Sequence, residues 1–489
     1  MSGVASSAVL TVLMRWTDRL IGFASTLILA RLLVPEDFGI IAMSSLVIGL
    51  VDTFLNLGVN VALIQNKSPT QEHYDTAWTL GLLQALAASL IVMAASPWAA
   101  SYFKDERIAP VVMALAPTFL LGAMQNIGIV TFQKEMRFAA DFKFLFTKRV
   151  FGFVVTVVAA WLLRSYWALV IGNIAGATFG TILSYLVHPM RPHLSLRRFS
   201  EIFSVSQWIL LRNVSIYLDA KLHLLIVGRR SSASIMGSYT LADDIAAMPT
   251  SELLAPLNRV LFPAMVRVKH DLTELKRVFL LSQGVQAVIG LPAAVGLSLV
   301  AGEAVPLLLG EKWLAAIAFV QIIAVANIVS ALIGSGGYVL ITLGHIKTVV
   351  LYGLVQTALF AALAIFAMPT AGALEIAWMR FGVAMAGIVV FMFLLLRALE
   401  NLTLAEVAKA VYRPILCTAV MAACVMAFPW TSLPLPALLI GKIVAGISSY
   451  ALASLSLWIF AGRPLGAESY LLQNINLVVN KNLRLKSRL

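Results

Sequence analysis

Apolar residues run through the chain in long blocks, and the blocks are separated by short charged or Pro/Gly-bearing breaks. A helix that crosses a bilayer needs about 20 consecutive apolar residues. Read on that scale, the pattern predicts fourteen helices, near residues 6–32, 36–64, 73–97, 109–132, 143–164, 166–188, 202–228, 234–265, 277–301, 314–343, 346–368, 372–397, 407–428 and 436–460. The fifth and sixth are the least separated, with only Arg164-Ser165-Tyr166 between them. Pro249 and Pro256 are expected to bend the eighth, because each removes a backbone hydrogen bond. The expected fold class is an all-α polytopic membrane protein of about 14 transmembrane helices.

Composition agrees with that solvent. Of 489 residues 60% are apolar and 12% charged, against about 25% charged in a soluble domain; an ordinary cytosolic enzyme and a disordered chain are both excluded. The net charge of +13 is a topology signal, since Lys and Arg resist translocation. With a cytoplasmic N-terminus, the loops carrying Lys134, Arg137, Arg191, Arg197, Arg198, Arg267, Lys269 and Lys409, and the tail with Lys481, Arg484, Lys486 and Arg488, fall on one side. The other side holds only Arg31, Lys104, Arg107, Arg164, Arg229, Arg230 and Lys312. Both termini are therefore expected in the cytoplasm, and no nucleic-acid partner is expected. The first twenty residues lack a signal peptide's charged start and cleavage site, so the first helix is expected to stay in the mature protein. Cys417 and Cys424 match neither a redox pair nor a metal pattern and read as buried, inert thiols.

An internal echo doubles the plan. Ala30-Arg31 through Phe38-Gly39 recurs as Gly228-Arg229 through Met236-Gly237, and the same offset of 198 residues carries the first helix onto the seventh. Six helices per copy is an even number, so the copies run parallel. The expectation is two parallel six-helix lobes around a central cavity, with two extra C-terminal helices. The corresponding segments are an N-lobe over 1–188, a cytoplasmic linker over 189–200, a C-lobe over 201–397, helices 13 and 14 over 398–460, and a basic cytoplasmic tail over 461–489.

Polar stripes mark the candidate chemistry. The first helix places Thr11, Arg15, Asp18, Arg19, Gly22 and Thr26 on one face. A charge at the bilayer centre costs about 2.5–3.5 kcal/mol, so this face is either an Arg–Asp–Arg cluster locking helices or the wall of a cationic cavity. The second helix aligns Ser45, Gly49, Asp52, Thr53, Asn56 and Asn60; the seventh aligns Ser204, Trp208, Arg212, Ser215 and Asp219, with Lys221 on the opposite face; the eighth contributes Thr240, Asp244, Ser251 and Asn258. A guanidinium fork matches phosphate oxygens and stays charged when desolvated. Arg15, Arg19 and Arg212, with Lys221 as a lesser candidate, therefore suit a phosphate head group. Asn56 and its neighbours suit sugar hydroxyls, and Trp208 either stacks on a sugar or simply packs. Asp52, Asp219 and Asp244 are candidates for Na+ or H+ coupling, or for hydrogen bonds between helices. Enzyme signatures are missing: the six histidines form no HExxH pair, there is no Walker A pattern, and Gly334, Gly336 and Gly337 lie inside an apolar helix, where they read as close packing or a hinge.

Leu29-Ala30-Arg31-Leu32-Leu33 to Glu36-Asp37-Phe38-Gly39, Asn258-Arg259-Val260-Leu261-Phe262-Pro263 and Leu309-Gly310-Glu311-Lys312-Trp313 resemble the Wzx-type polysaccharide-exporting flippases, especially the colanic-acid branch. The resemblance implies the multidrug/oligosaccharidyl-lipid/polysaccharide exporter fold, with two lobes around a V-shaped cavity in a bacterial inner membrane. It implies an undecaprenyl-pyrophosphate-linked oligosaccharide as substrate, moved to the periplasmic leaflet, with Arg15, Arg19 and Arg212 at the pyrophosphate. It also implies contact with membrane lipids and with polysaccharide polymerase or export machinery, and no cofactor beyond a coupling ion. Two alternatives stay open at this level. A drug or metabolite exporter of the same superfamily would stop at 12 helices, and a membrane glycan polymerase or ligase would need a sizeable periplasmic loop.

Overall fold

The computed structural model describes residues 21–55, 59, 63–64, 66, 68–427, 433–464 and 466–471, without the side chains of 202–212, 215, 255–256, 259, 330–331 and 333. All regular structure among them is helical. The chain divides into two compact units, residues 1–240 and 241–489. The first contains α1 (Ile21–Leu32), α2 (Pro35–Leu55), α3 (Gln71–Phe103), α4 (Ile108–Ala123), α5 (Ile127–Lys134), α6 (Phe138–Leu163), α7 (Trp167–Val187) and α8 (Phe199–Arg230). Helix α9 (Ala233–Met248) straddles the division. A π-helical turn, Pro249–Leu253, then leads into α10 (Ala255–Arg267), α11 (Leu272–Leu308), α12 (Ala316–Thr342), α13 (Ile346–Ala367), α14 (Ala373–Ala398), α15 (Leu404–Ala427) and α16 (Leu435–Phe460).

Ten of the described helices are long and apolar enough to cross a membrane, or eleven if α4 and α5 form one bent span. The count of fourteen further needs the first helix, described from Ile21, together with the polar α8 and the interrupted α9–α10. Their outer surfaces are apolar: Leu186, Val389, Phe393, Ile447 and Leu452 are all exposed, as expected of a molecule solvated by lipid rather than water.

Two elements differ from the sequence expectation. The fourth helix is not continuous, because α4 and α5 meet at 66°. Asn126 sits at the break, where its Oδ1 accepts from Gly128 N–H at 2.9 Å and its amide donates to the His188 and Met190 carbonyls at 3.0 and 2.7 Å. One side chain thus satisfies the backbone that the bend releases. Cys424 is exposed rather than buried, while Cys417 is buried. The expected bend in the eighth helix takes the form of the π turn that begins at Pro249.

The motif shared by the two echo copies packs reciprocally. A Cβ on Gly39 would strike the Ala233 carbonyl, and a Cβ on Gly237 would strike the Pro35 carbonyl. Position 233 is 35 plus the 198-residue offset, and 237 is 39 plus the same offset, so the two contacts are copies of each other. That reciprocity is what a local two-fold relation requires. Between them Asp37, buried, accepts from Val34 N–H at 3.1 Å and from Tyr166 N–H at 2.8 Å, tying the α1–α2 turn to the α6–α7 turn. Gly39→Ala or Gly237→Ala is expected to lower stability by about 1–3 kcal/mol, because backbone and not a movable side chain stands in the way. Gly353→Ala, which meets open space, serves as the control; equal melting temperatures for all three in detergent would remove the argument.

The segment after α7 is strapped along the start of α3. His193 N–H donates to Asp75 Oδ1 at 3.0 Å, Ser195 N–H to Thr79 Oγ1 at 2.9 Å, and Arg198 N–H to Thr76 Oγ1 at 3.2 Å. Arg197 and Arg198 reach Glu72, and His73 Nε2 meets Glu201 at 3.0 Å. His188 anchors the near end of the strap: its Nδ1 accepts from Met190 N–H at 3.2 Å, its Nε2 lies 3.2 Å from Thr131 Oγ1, and its ring fills the space that a Cβ on Gly128 would need. Burial, with the nearby Arg137 charge, holds this imidazole below its ordinary pKa. The neutral form is the one the fold accepts, so stability is present above the unfolded value of about 6.5 and falls as pH drops through it toward the lower folded value. The melting temperature in detergent is therefore expected to decline more steeply from about pH 7 to about pH 5 for the native protein than for His188→Phe.

In the second unit Phe279, Phe391, Leu395, Met265 and Val339 form a buried core. Gly336 is there for close packing, since a Cβ would meet the Phe391 ring at 2.7 Å. Gly310 takes a φ of 105°, which a side chain resists, and this turn drives Trp313 into full burial. Lys442 on α16 and Glu303 on α11 pair at 2.6 Å, both largely buried.

Candidate functional site

Helices α6 and α7 pack antiparallel through a four-residue repeat on both partners. Gly172 lies against Thr156, Gly176 against Gly152, and Gly180 against the Lys148 side chain, which a Cβ on Gly180 would meet at 2.6 Å. Small residues at this spacing let two helices approach closely, and Gly180 leaves a channel along which the Lys148 stem lies. Next to it, the Arg149 guanidinium comes within 2.6 Å of where a Gly22 Cβ would stand on α1. Helix α6 starts at Phe138, so Lys148 and Arg149 are ten and eleven residues along it. At 1.5 Å per residue that is about 15 Å, half the thickness of the hydrocarbon core.

Both cations line a cavity of about 760 Å³, together with Thr118, Asp141 and Asn173. A second cavity of about 700 Å³ shares Thr118, Gly122, Asp141 and Leu145 with it and adds Asp52, Trp78, Gln84, Gln125 and Gln133. Gln84 donates to the Leu55 carbonyl at 2.8 Å, at the last turn of α2. The Trp78 indole N–H is buried there without an acceptor. Among the described residues no carboxylate pairs with Lys148 and no cation pairs with Asp52. Leaving a buried donor unsatisfied costs about 1–3 kcal/mol, and placing a cation at this depth costs about as much again. The first unit thus encloses two adjoining, largely apolar cavities that carry Lys148, Arg149 and the unsatisfied Trp78 indole N–H beside the carboxylates of Asp52 and Asp141, an arrangement that can take a ligand with both anionic and hydroxyl-rich parts.

The residues singled out from the sequence are dispersed relative to this space. Arg15, Arg19 and Asn56 lie outside the described residues, as do the side chains of Trp208 and Arg212 on α8. Asp52 lines the second cavity. Gly49, on the same stripe, is covered by Tyr217 of α8, whose hydroxyl donates to the Leu46 carbonyl at 2.6 Å. Asp219 is exposed and Lys221 half-buried on α8, and neither lines the two cavities. Asp244 is exposed on α9; its neighbour Asp243 is the one that turns inward, bonded to Arg380 of α14 at 2.7 Å. Arg380 also donates to Asn327 Oδ1 at 3.2 Å. Sequence reasoning missed Trp78, Lys148, Arg149, Asp243 and Arg380. The available signal was a charge in mid-run: Lys148-Arg149 and Arg380 each interrupt an otherwise apolar block.

A family model described as "Polysaccharide biosynthesis protein" matches residues 28–318, more than half of the chain. The chain belongs to that family. Within it the sequence is WzxC-like. It is 25% identical over 379 residues to the lipopolysaccharide biosynthesis protein WzxC of Escherichia coli (strain K12), covering 77% of this chain and 76% of that protein. It is also 25% identical over 379 residues to the teichuronic acid biosynthesis protein TuaB of Bacillus subtilis (strain 168), covering 75% and 77%. In fold it matches the lipid II flippase MurJ in an inward closed conformation, with a TM-score of 0.75 over 93% of this chain and 100% of that one, at 12% identity. This member of the polysaccharide biosynthesis family is a multi-pass membrane protein, and the solved structure it matches, MurJ, is by its name a flippase.

Proposed function

We propose that this protein flips an undecaprenyl-pyrophosphate-linked oligosaccharide from the cytoplasmic to the periplasmic leaflet of a bacterial inner membrane. It would do so by alternating access of two parallel six-helix lobes, with fourteen spans and both termini cytoplasmic. The observation that carries the reading is the Lys148–Arg149 pair at mid-bilayer depth on the wall of a cavity, with Lys148 lacking a carboxylate partner among the described residues. In that cavity the two cations outnumber the one carboxylate, Asp141, which favours a pyrophosphate over a drug-sized cation. Arg15, Arg19 and Arg212 are assigned to the same head group, with Asn56, Trp208 and Lys221 at the sugars. Trp78 and Gln84 add amide and indole donors of the kind sugar oxygens accept from. Asp52, open to the cavity and without a cationic partner among the described residues, is the leading site for a coupling Na+ or H+, ahead of Asp219 and Asp244.

The lipid tail needs only an apolar path. Between α11, α15 and α16 an apolar groove of about 420 Å³, lined by Pro292, Gly296, Val300, Met421, Val425 and Ile447, supports placing it by the last two helices. No bond is made or broken; the task is to lower the cost of carrying a charged, hydrated head group through hydrocarbon. Deleting the gene in its bacterial host should stop surface polysaccharide while lipid-linked repeat units accumulate in the cytoplasmic leaflet, out of reach of an impermeant sugar oxidant. Normal polymer output, or accumulated units open to the oxidant, would rule the proposal out.

A further inference from the structure

Where α11 and α15 begin and α16 ends, at one membrane boundary of the second unit, a cavity of about 980 Å³ opens beneath the turn that follows α16. Its floor is apolar, built from Leu280, Leu281 and Gly284 of α11 with Ala408 and Tyr412 of α15. The turn roofs it and is well fixed: Trp458 Nε1 donates to the Pro464 carbonyl at 3.3 Å and to Ser469 Oγ at 3.2 Å, and Ala467, Glu468 and Ser469 are buried.

The rim is charged, and its charges do not cancel. Glu406 is held by Lys276 at 2.9 Å and by Thr403, and Arg277 is held by Glu274 through two bonds of 2.7 and 2.6 Å. Arg413 reaches Glu468 at 3.1 Å, yet its Nη1 is buried with no properly aligned hydrogen-bond acceptor. Lys409 lines the cavity, is exposed, and has no carboxylate partner among the described residues. Among the groups that line the cavity three cations, Arg277, Lys409 and Arg413, thus face two carboxylates, Glu406 and Glu468, and Arg413 carries an unsatisfied buried nitrogen.

We infer that this cavity holds one anionic glycerophospholipid from that leaflet, its phosphate at Lys409 and Arg413 and an acyl chain along Leu280 and Leu281. Shape and charge both select this occupant. A free inorganic anion would leave the apolar floor unfilled, in a space at the upper end of what drug-sized ligands occupy. A zwitterionic lipid would leave the excess positive charge unanswered. The chain's own last segment, with Lys481, Arg484, Lys486 and Arg488, would bring like charge to the rim.

The inference stands apart from the proposed transport activity and is tested without it. The full-length protein, purified in mild detergent, is mixed with phosphatidylglycerol or with phosphatidylcholine of the same chains and examined by native mass spectrometry. One phosphatidylglycerol should be retained at least tenfold over phosphatidylcholine. Lys409→Glu should lose that preference, and Leu281→Trp, which fills the floor without changing charge, should lower retention at least tenfold; a melting curve checks that each variant is folded. Equal retention of the two lipids, unchanged retention in both folded variants, or displacement by equimolar glycerol phosphate lacking acyl chains would overturn the inference.

Discussion

Reversing two charges, Lys148→Glu with Arg149→Glu, is expected to slow flipping of a lipid-pyrophosphate oligosaccharide by at least about 100-fold while the protein remains folded. A hydrogen bond to a charged group contributes about 1.5–3 kcal/mol, and each 1.4 kcal/mol is a factor of ten. Two lost contacts therefore account for about 100-fold, and the carboxylates that replace them add repulsion of up to about 4 kcal/mol at close range. The neutral pair Lys148→Met with Arg149→Gln separates charge from packing, since a methionine still fills the channel over Gly180. It should lose most of the rate with little change in melting temperature. Full transport by the neutral pair would show that these cations only pack helices α6 and α7.

The second large effect is on stability. Arg380 joins α14 to α9 through Asp243 and to α12 through Asn327, with both partners of the ion pair mostly buried. Arg380→Leu takes the guanidinium out of this mostly buried pair, and removing one partner of a buried pair costs about 3–5 kcal/mol. Combining Arg380→Leu with Asp243→Asn removes the remaining carboxylate charge and should recover a large part of that loss. The comparison is made by thermal unfolding in detergent, and a double variant no more stable than the single one would mean that the ion pair is not what Arg380 contributes.

The helices were legible because the bilayer imposes a length: each described span follows a long, mostly apolar block, and even the short Arg164-Ser165-Tyr166 break is a real turn, with Arg164 at a φ of 46°. The break between α4 and α5 was not legible, because it is made by Asn126 capping with partners on the far side of α7, which no local pattern shows. Lys148 and Arg149 were missed for a matter of register. Starting the fifth helix near residue 143 puts them about one and a half turns inside a boundary, where cations snorkel to water, whereas the helix begins at Phe138 and carries them to the middle. The choice of Asp244 over Asp243 came from ideal helix spacing; which of two adjacent acids turns inward is decided by α12 and α14, elements far away in sequence. The doubled motif was visible as a repeat, but the packing of each copy's glycine on the backbone of the other copy is a tertiary contact that no local pattern shows.

The most direct measurement reconstitutes the protein in liposomes carrying a fluorescent lipid-pyrophosphate oligosaccharide in one leaflet, and follows its arrival in the other, with a cationic dye as the competing cargo. The account predicts that the oligosaccharide crosses at a rate that falls when Lys148 and Arg149 are neutralised, and that the dye does not cross. Dye transport with a stationary oligosaccharide would contradict it.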